Sequence, residues 1–301
     1  MNWLFGYCLM SIMIFPAACK GRAPGTLSTL GQEQTKASTK TADSNPQETS
    51  PDFVRSDTLS YEGYEVVKLK KKVEYEYDRG KRKLIEVSYT AMKKNGRVLA
   101  EFDGVRYPLG NSNDFGLVSA LARETKQLII SQSIPRGGRH WIVDFSPEFR
   151  ILFDSDYWHV GREDITLIDI DRDGVYEILL EDPSFYMSLP ISVAETPLTR
   201  IIFKYDALAN KYLPANQLHK EYSLSGIEDD IAKLKSKSEI GYLSDRLRIL
   251  LRYIYAGEQS RGWVFFEREY TLPDKAELEN NANAVLKGHP VYKFVYKTGT
   301  T

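Results

Sequence analysis

The feature that most constrains the fold is a change of hydrophobic period near residue 216. Upstream, from about 57 to 215, apolar and β-branched residues gather in short strand-like runs: Tyr64 to Leu69, Leu84 to Met92, Arg97 to Phe102, Gln127 to Ser133, Trp141 to Phe145, Arg150 to Asp154 and Thr199 to Tyr205. Two further runs flank residues 169–177. Turn-forming groups at Asp78-Arg79-Gly80, Lys94-Asn95-Gly96, Asp103-Gly104 and Pro135-Arg136-Gly137-Gly138 predict hairpins between neighbours. Downstream, Leu243, Leu247, Leu250, Leu251 and Ile254 fall on one helical stripe, as do Trp263, Phe266 and Tyr270, and then Leu278, Ala282 and Val285. With Gly257 and Pro273 as punctuation, three or four helices are expected, and Val291 to Tyr296 reads as a returning strand. The expected class is therefore α+β: antiparallel β-rich sheets over 57–215, in a sandwich or a propeller-like stack, with a helical subdomain over 216–301 packed on them.

Within the β-rich part, Asp169-Ile170-Asp171-Arg172-Asp173-Gly174-Val175-Tyr176-Glu177 sets four carboxylates around a single glycine. Asp-Gly alone is an ordinary turn in which aspartate accepts backbone hydrogen bonds. Four carboxylates in nine residues also repel one another unless a cation lies among them. Calcium takes six to eight oxygens, and alternate side chains of a short loop supply them, with a glycine allowing the sharp turn. The helical calcium hand is disfavoured, because its twelfth position is Leu180, not a glutamate. The flanks Ile165-Thr166-Leu167-Ile168 and Tyr176-Glu177-Ile178-Leu179-Leu180 read as strands.

This strand-loop-strand pattern resembles the D-x-D-x-D-G-x-x-[DE]-[IL] calcium loop of FG-GAP and integrin-α-like propeller repeats. The resemblance implies side-chain ligands from Asp169, Asp171, Asp173 and Glu177, a main-chain ligand from Val175, and Ca2+ as a structural cofactor. It spans about ten residues and occurs once, so it identifies a loop and not a whole fold.

Residues 3–15 form an apolar run too short to span a bilayer comfortably, ending at Pro16-Ala17-Ala18-Cys19. Small residues before a cysteine resemble the bacterial lipobox, which implies a signal peptide over 1–18 and lipidation of Cys19. A secreted product cleaved near Ala18 and an uncleaved anchor are the alternatives. The only other cysteine, Cys8, lies in the leader, so no disulfide is expected in the mature domain. The segment 19–56 is rich in Gly, Pro, Ser, Thr and Gln and reads as a disordered tether, with a reach of roughly 30–35 Å. The resulting placement is the bacterial cell envelope, on the outer membrane where the host has two.

The basic stretch Lys68 to Lys83 is interleaved with Glu74 and Glu76 and reads as a solvated hairpin face. With a formal net charge of −1, nucleic acid is not expected as a partner. His140, His159, His219 and His289 are scattered without metal-ligand spacing, so zinc is not expected. Tyr75, Tyr77, Trp158 and Tyr186 are candidates for an exposed aromatic, glycan-binding face. The first functional reading is a calcium-stabilised envelope lipoprotein acting as a non-catalytic binding or scaffolding module, with an envelope protein or glycan as partner. The alternative is a metal-assisted hydrolase of polysaccharide or phosphoester bonds, with Asp154, Asp156 and His159 beside the acidic loop.

Overall fold

The computed structural model describes residues 46–49, 52–54, 57–78, 80–102, 112–134, 137–161, 164–186, 188–189, 195–236 and 239–297. The chain divides into two units, Met1–Ser44 and Asn45–Thr301. The expected signal peptide, Cys19 and most of the expected tether belong to the first unit and lie outside the described residues. All the described strands and helices belong to the second.

The second unit is an α+β structure with three antiparallel sheets. The first has the order β3-β4-β5-β6, with β3 at Thr58–Tyr61, β4 at Tyr64–Asp78, β5 at Lys81–Lys94 and β6 at Arg97–Phe102. Asn95 and Gly96 both take positive φ (52° and 74°), the conformation of the tight hairpin turn expected from Asn-Gly. The second sheet is the meander β7 (Ser112–Val118), β8 (Gln127–Ile134), β9 (Gly137–Asp144) and β10 (Arg150–Asp154), with β2 (Asp52–Val54) added beside β7. The third is the meander β11 (Thr166–Asp169), β12 (Glu177–Asp182), β13 (Thr199–Asp206) and β14 (Lys211–Pro214), with β1 (Gln47–Thr49) added beside β11. The tether expected to run to residue 56 thus contains two short edge strands. Their backbone groups pair with sheet edges, a source of order that composition does not reveal.

The second sheet has an apolar layer on each face. Alternation along β8 sends Leu128 and Ile130 into a core with Tyr64, Val66, Met92 and Phe102 of the first sheet. Ile129 points the other way, with Ile142 of β9, into a larger core shared with Leu167, Ile178, Ile201 and Phe203 of the third sheet and with the helices. This explains the unbroken apolar run of Leu128, Ile129 and Ile130.

A four-residue helix, α1 (Ser155–Trp158), follows β10. The chain is then helical from residue 220: α2 (Lys220–Leu224), α3 (Ile227–Ala232), α4 (Tyr242–Tyr255), α5 (Gln259–Glu269), α6 (Lys275–Gly288) and α7 (Pro290–Lys297). Leu247, Leu250, Leu251 and Ile254 of the expected α4 stripe are fully buried. Gly257, at φ 83°, ends α4, with the Gly257 amide donating to Ile254 O and the Glu258 amide to Tyr253 O, a left-handed cap.

The expected strand at Val291 to Tyr296 is instead the helix α7. Its β-branched and aromatic residues suggested a strand, but Pro290 starts a helix at no hydrogen-bond cost and Val291 and Val295, four apart, both enter the core. Tertiary burial at helical spacing overrides local β propensity here.

Candidate metal centre at the acidic loop

The loop lies where the sequence pattern predicts it. Ile168 pairs with Glu177 across β11 and β12, so residues 170–176 form the connection between two antiparallel neighbours. Gly174 has φ 80° and Arg172 φ 62°, the left-handed turns that fold the loop back on itself. Asp169 braces it: Oδ1 accepts from the Asp173 amide at 3.1 Å and Oδ2 from the Gly174 amide at 3.1 Å. Asp173 Oδ1 accepts from the Val175 amide at 2.8 Å, and Glu177 Oε2 from the Ile170 amide at 2.9 Å. The Tyr176 amide donates to Ala120 O at 2.8 Å, tying the loop to the connection between β7 and β8. Val175 is half-buried against the larger core.

The acidic side chains come together in two overlapping groups. Oxygens of Asp169, Asp171 and Asp173 lie within 4.8 Å of one another, as do ligand atoms of Asp171, Glu177 and His219. Asp169 and Glu177 are buried at the floor, whereas the side chains of Asp171 and Asp173 are 42% and 44% exposed and form an open rim.

At the focus stands a group that the sequence pattern does not announce. Ile178 pairs with Phe203 across β12 and β13, so Lys204, the next residue, stands opposite Glu177. Its Nζ donates to Asp171 Oδ2 at 2.6 Å, Asp173 Oδ2 at 2.8 Å and Glu177 Oε1 at 2.9 Å. Burial works against its charge, yet the three carboxylates hold Lys204 above the ordinary lysine range. Burial likewise opposes ionisation of Glu177 and Asp173. The His219 imidazole, the Ile170 amide and Lys204 nonetheless keep Glu177 below the usual carboxylate range, and Lys204 with the Val175 amide does the same for Asp173. Lys204 therefore places one ammonium among three of the four carboxylates of the loop.

His219 is the second residue without a sequence signal. It follows β14 at the N-cap of α2, and Asn216 anchors the segment by accepting from the Ile202 amide and donating to Arg200 O. His219 is 8% exposed, and its Nε2 lies 3.5 Å from Glu177 Oε1, close enough to favour the ionised carboxylate but too long for a well-formed hydrogen bond. The separation of 42 residues between Glu177 and His219 leaves no local mark of this meeting.

The residues expected for hydrolysis do not join this centre. Asp154 caps α1 by accepting from the Asp156 amide at 3.0 Å, and both aspartates pair with Arg139. His159, at φ 57°, ends the same helix. Its ring lies 5.9 Å from that of His289, although 130 residues separate the two in sequence. Burial and His289 hold the His159 imidazole below its ordinary value. The exposed aromatic face is also corrected at one member: Trp158 is buried, packed on Phe203 and Phe294. The basic hairpin is a solvated ion-pair ladder, with Lys70 on Glu86 at 2.9 Å and Arg82 between Glu74 and Glu76 at 3.6 Å each.

Among the described residues no helix is long and apolar enough to cross a membrane. Compared with protein-family models, curated proteins and solved structures, the chain matches none.

Proposed function

We propose that this protein is a lipid-anchored, non-catalytic binding or scaffolding module of the bacterial cell envelope, with calcium as a structural staple at the acidic loop. The observation that carries the reading is the convergence of Asp169, Asp171 and Asp173 on one point, with an open rim through which an ion enters. An all-oxygen donor set of this kind suits calcium, with Glu177 and the Val175 carbonyl completing it. Lys204 supports the cation reading because its ammonium already lies among Asp171, Asp173 and Glu177. The ion would displace that ammonium and join β11 and β12 more firmly.

The same reading takes the three consecutive meanders, stacked through cores on both faces of the middle one, as propeller-like blades. It takes Cys19 as the attachment point to the membrane and an envelope protein or glycan as partner. The hydrolase alternative has weaker support, since Asp154, Asp156 and His159 serve as helix caps and ion-pair partners away from the convergent carboxylates.

Calorimetric melting of the full chain in calcium and in chelator tests the staple. At free calcium about ten times the dissociation constant the gain is about 1.4 kcal/mol. For a domain of this size that is a midpoint rise of roughly 3–5 °C. An unmoved midpoint, or a rise that persists in Asp173→Ala, would remove calcium from the proposal.

A further inference from the structure

The loop holds two overlapping donor sets of different chemistry. Asp169, Asp171 and Asp173 offer oxygens alone, whereas Asp171, Glu177 and His219 offer two carboxylates and an imidazole nitrogen within 4.8 Å of one another. We propose that this second set is a site for a borderline divalent ion of the zinc class, distinct from calcium in its donors and competing with it for Asp171. The inference rests on the reading of the loop as a cation site.

Three observations lead there. His219 is more than nine-tenths buried, and its Nε2 has no well-formed hydrogen bond while it points into the carboxylates, 3.5 Å from Glu177 Oε1. A buried ring nitrogen ordinarily finds a partner, and one aimed at two carboxylates is placed as a ligand. Second, Lys204 Nζ bridges Asp171 Oδ2 and Glu177 Oε1, so a positive charge already sits between two of the three donors. A metal ion there replaces the ammonium with a centre that the imidazole can also reach. Third, imidazole with carboxylate suits zinc and its neighbours, whereas calcium draws on oxygen donors. Glu177 is fully buried and takes the Ile170 amide on its other oxygen, which orients Oε1 toward the centre.

The test uses the full chain stripped of metal with a chelator, and Co2+, Zn2+ and Ca2+ added singly. Co2+ should bind with a visible absorption band of mixed nitrogen and oxygen ligation, and Zn2+ should displace it. His219→Gln should weaken Co2+ and Zn2+ binding by at least about tenfold, since losing a ligand costs no less than losing the support behind one. The same variant should keep the calcium-dependent rise in melting point. Lys204→Met, which removes the competing ammonium, should tighten Zn2+ binding. The proposal is overturned if folded His219→Gln, judged by near-ultraviolet circular dichroism, binds Zn2+ like the wild type. Should His219→Gln not fold, unchanged Zn2+ affinity in Lys204→Met overturns it equally. Calcium stabilisation without Zn2+ binding defeats this inference and leaves the staple standing; no response to any ion defeats both.

Discussion

At the scale of single residues, Lys204 decides how the acidic loop behaves without metal. Its ammonium pairs with Glu177, which is fully buried, and with two half-exposed aspartates. Lys204→Met should therefore destabilise the metal-free protein by about 2–3 kcal/mol. That is below the cost of breaking a fully buried pair, because Asp171 and Asp173 remain hydrated. Urea unfolding in chelator measures this, and a loss under about 0.5 kcal/mol, the scale of a surface change, would show that the ammonium is dispensable. The pH dependence has its origin in the same contacts. Glu177 and Asp173 are held below their unfolded values of about 4.3 and 3.9, so the stability they contribute is present above those values and lost as pH falls through the folded ones. Lys204 is held above its unfolded value of about 10.4, so its contribution is complete below that pH and lost as pH rises through the folded value. Urea midpoints should be flat between about pH 7 and 10 and fall on both sides; His159, held below its unfolded value of about 6.5, opens the acid limb, and Glu177→Gln should flatten the lower part of that limb. The loop's own carboxylates are legible because they are close together in sequence. Lys204 and His219 are not, since a lone lysine and a lone histidine carry no signal until strand pairing brings them in.

At the scale of elements, ordinary patterns locate most strands, and the failures have physical causes. Arg97 to Phe102 and Arg150 to Asp154 have the expected ends, whereas β7 escapes notice because Gly116 and Asp114 interrupt its apolar character. The helix α7 reads as a strand because four of its eight residues are valine or tyrosine. The bond that joins sheet to helix is also invisible locally. Asp182 of β12 is fully buried and accepts from Tyr255 Oη of α4 at 2.5 Å, from Ser184 Oγ and from the Ser184 amide at 2.8 Å. Burial and that carboxylate together raise the Tyr255 phenol well above its usual range. Tyr255→Phe leaves the ring packing in place but removes a donor from a buried charge. It should cost about 1–3 kcal/mol in urea unfolding, and a neutral result would mean that the two Ser184 donors suffice.

At the scale of the whole molecule, the change of period near residue 216 marks a change of secondary structure and not a boundary between independent domains. Leu247, Leu250, Phe266 and Val291 share one core with Ile142, Leu167, Ile201 and Phe203. A chain ending at Ala215 would expose the apolar face of the third sheet, so it should bind a hydrophobic dye and lose a cooperative melting transition. The unit 45–301, by contrast, should melt in one transition seen alike by calorimetry and near-ultraviolet circular dichroism. A cooperatively folded piece ending at Ala215 would contradict the shared core. By itself the sequence determined whatever local chemistry and period encode: the α+β order, the strand-flanked acidic loop, and the turns at Asn95-Gly96 and Gly174. Tertiary structure decided the rest, namely the edge pairing of β1 and β2, the helical state of α7, and the meeting of Lys204 and His219 with the loop. The reason is that hydrogen-bonded register and shared burial act between residues far apart in the chain, where no local pattern records them.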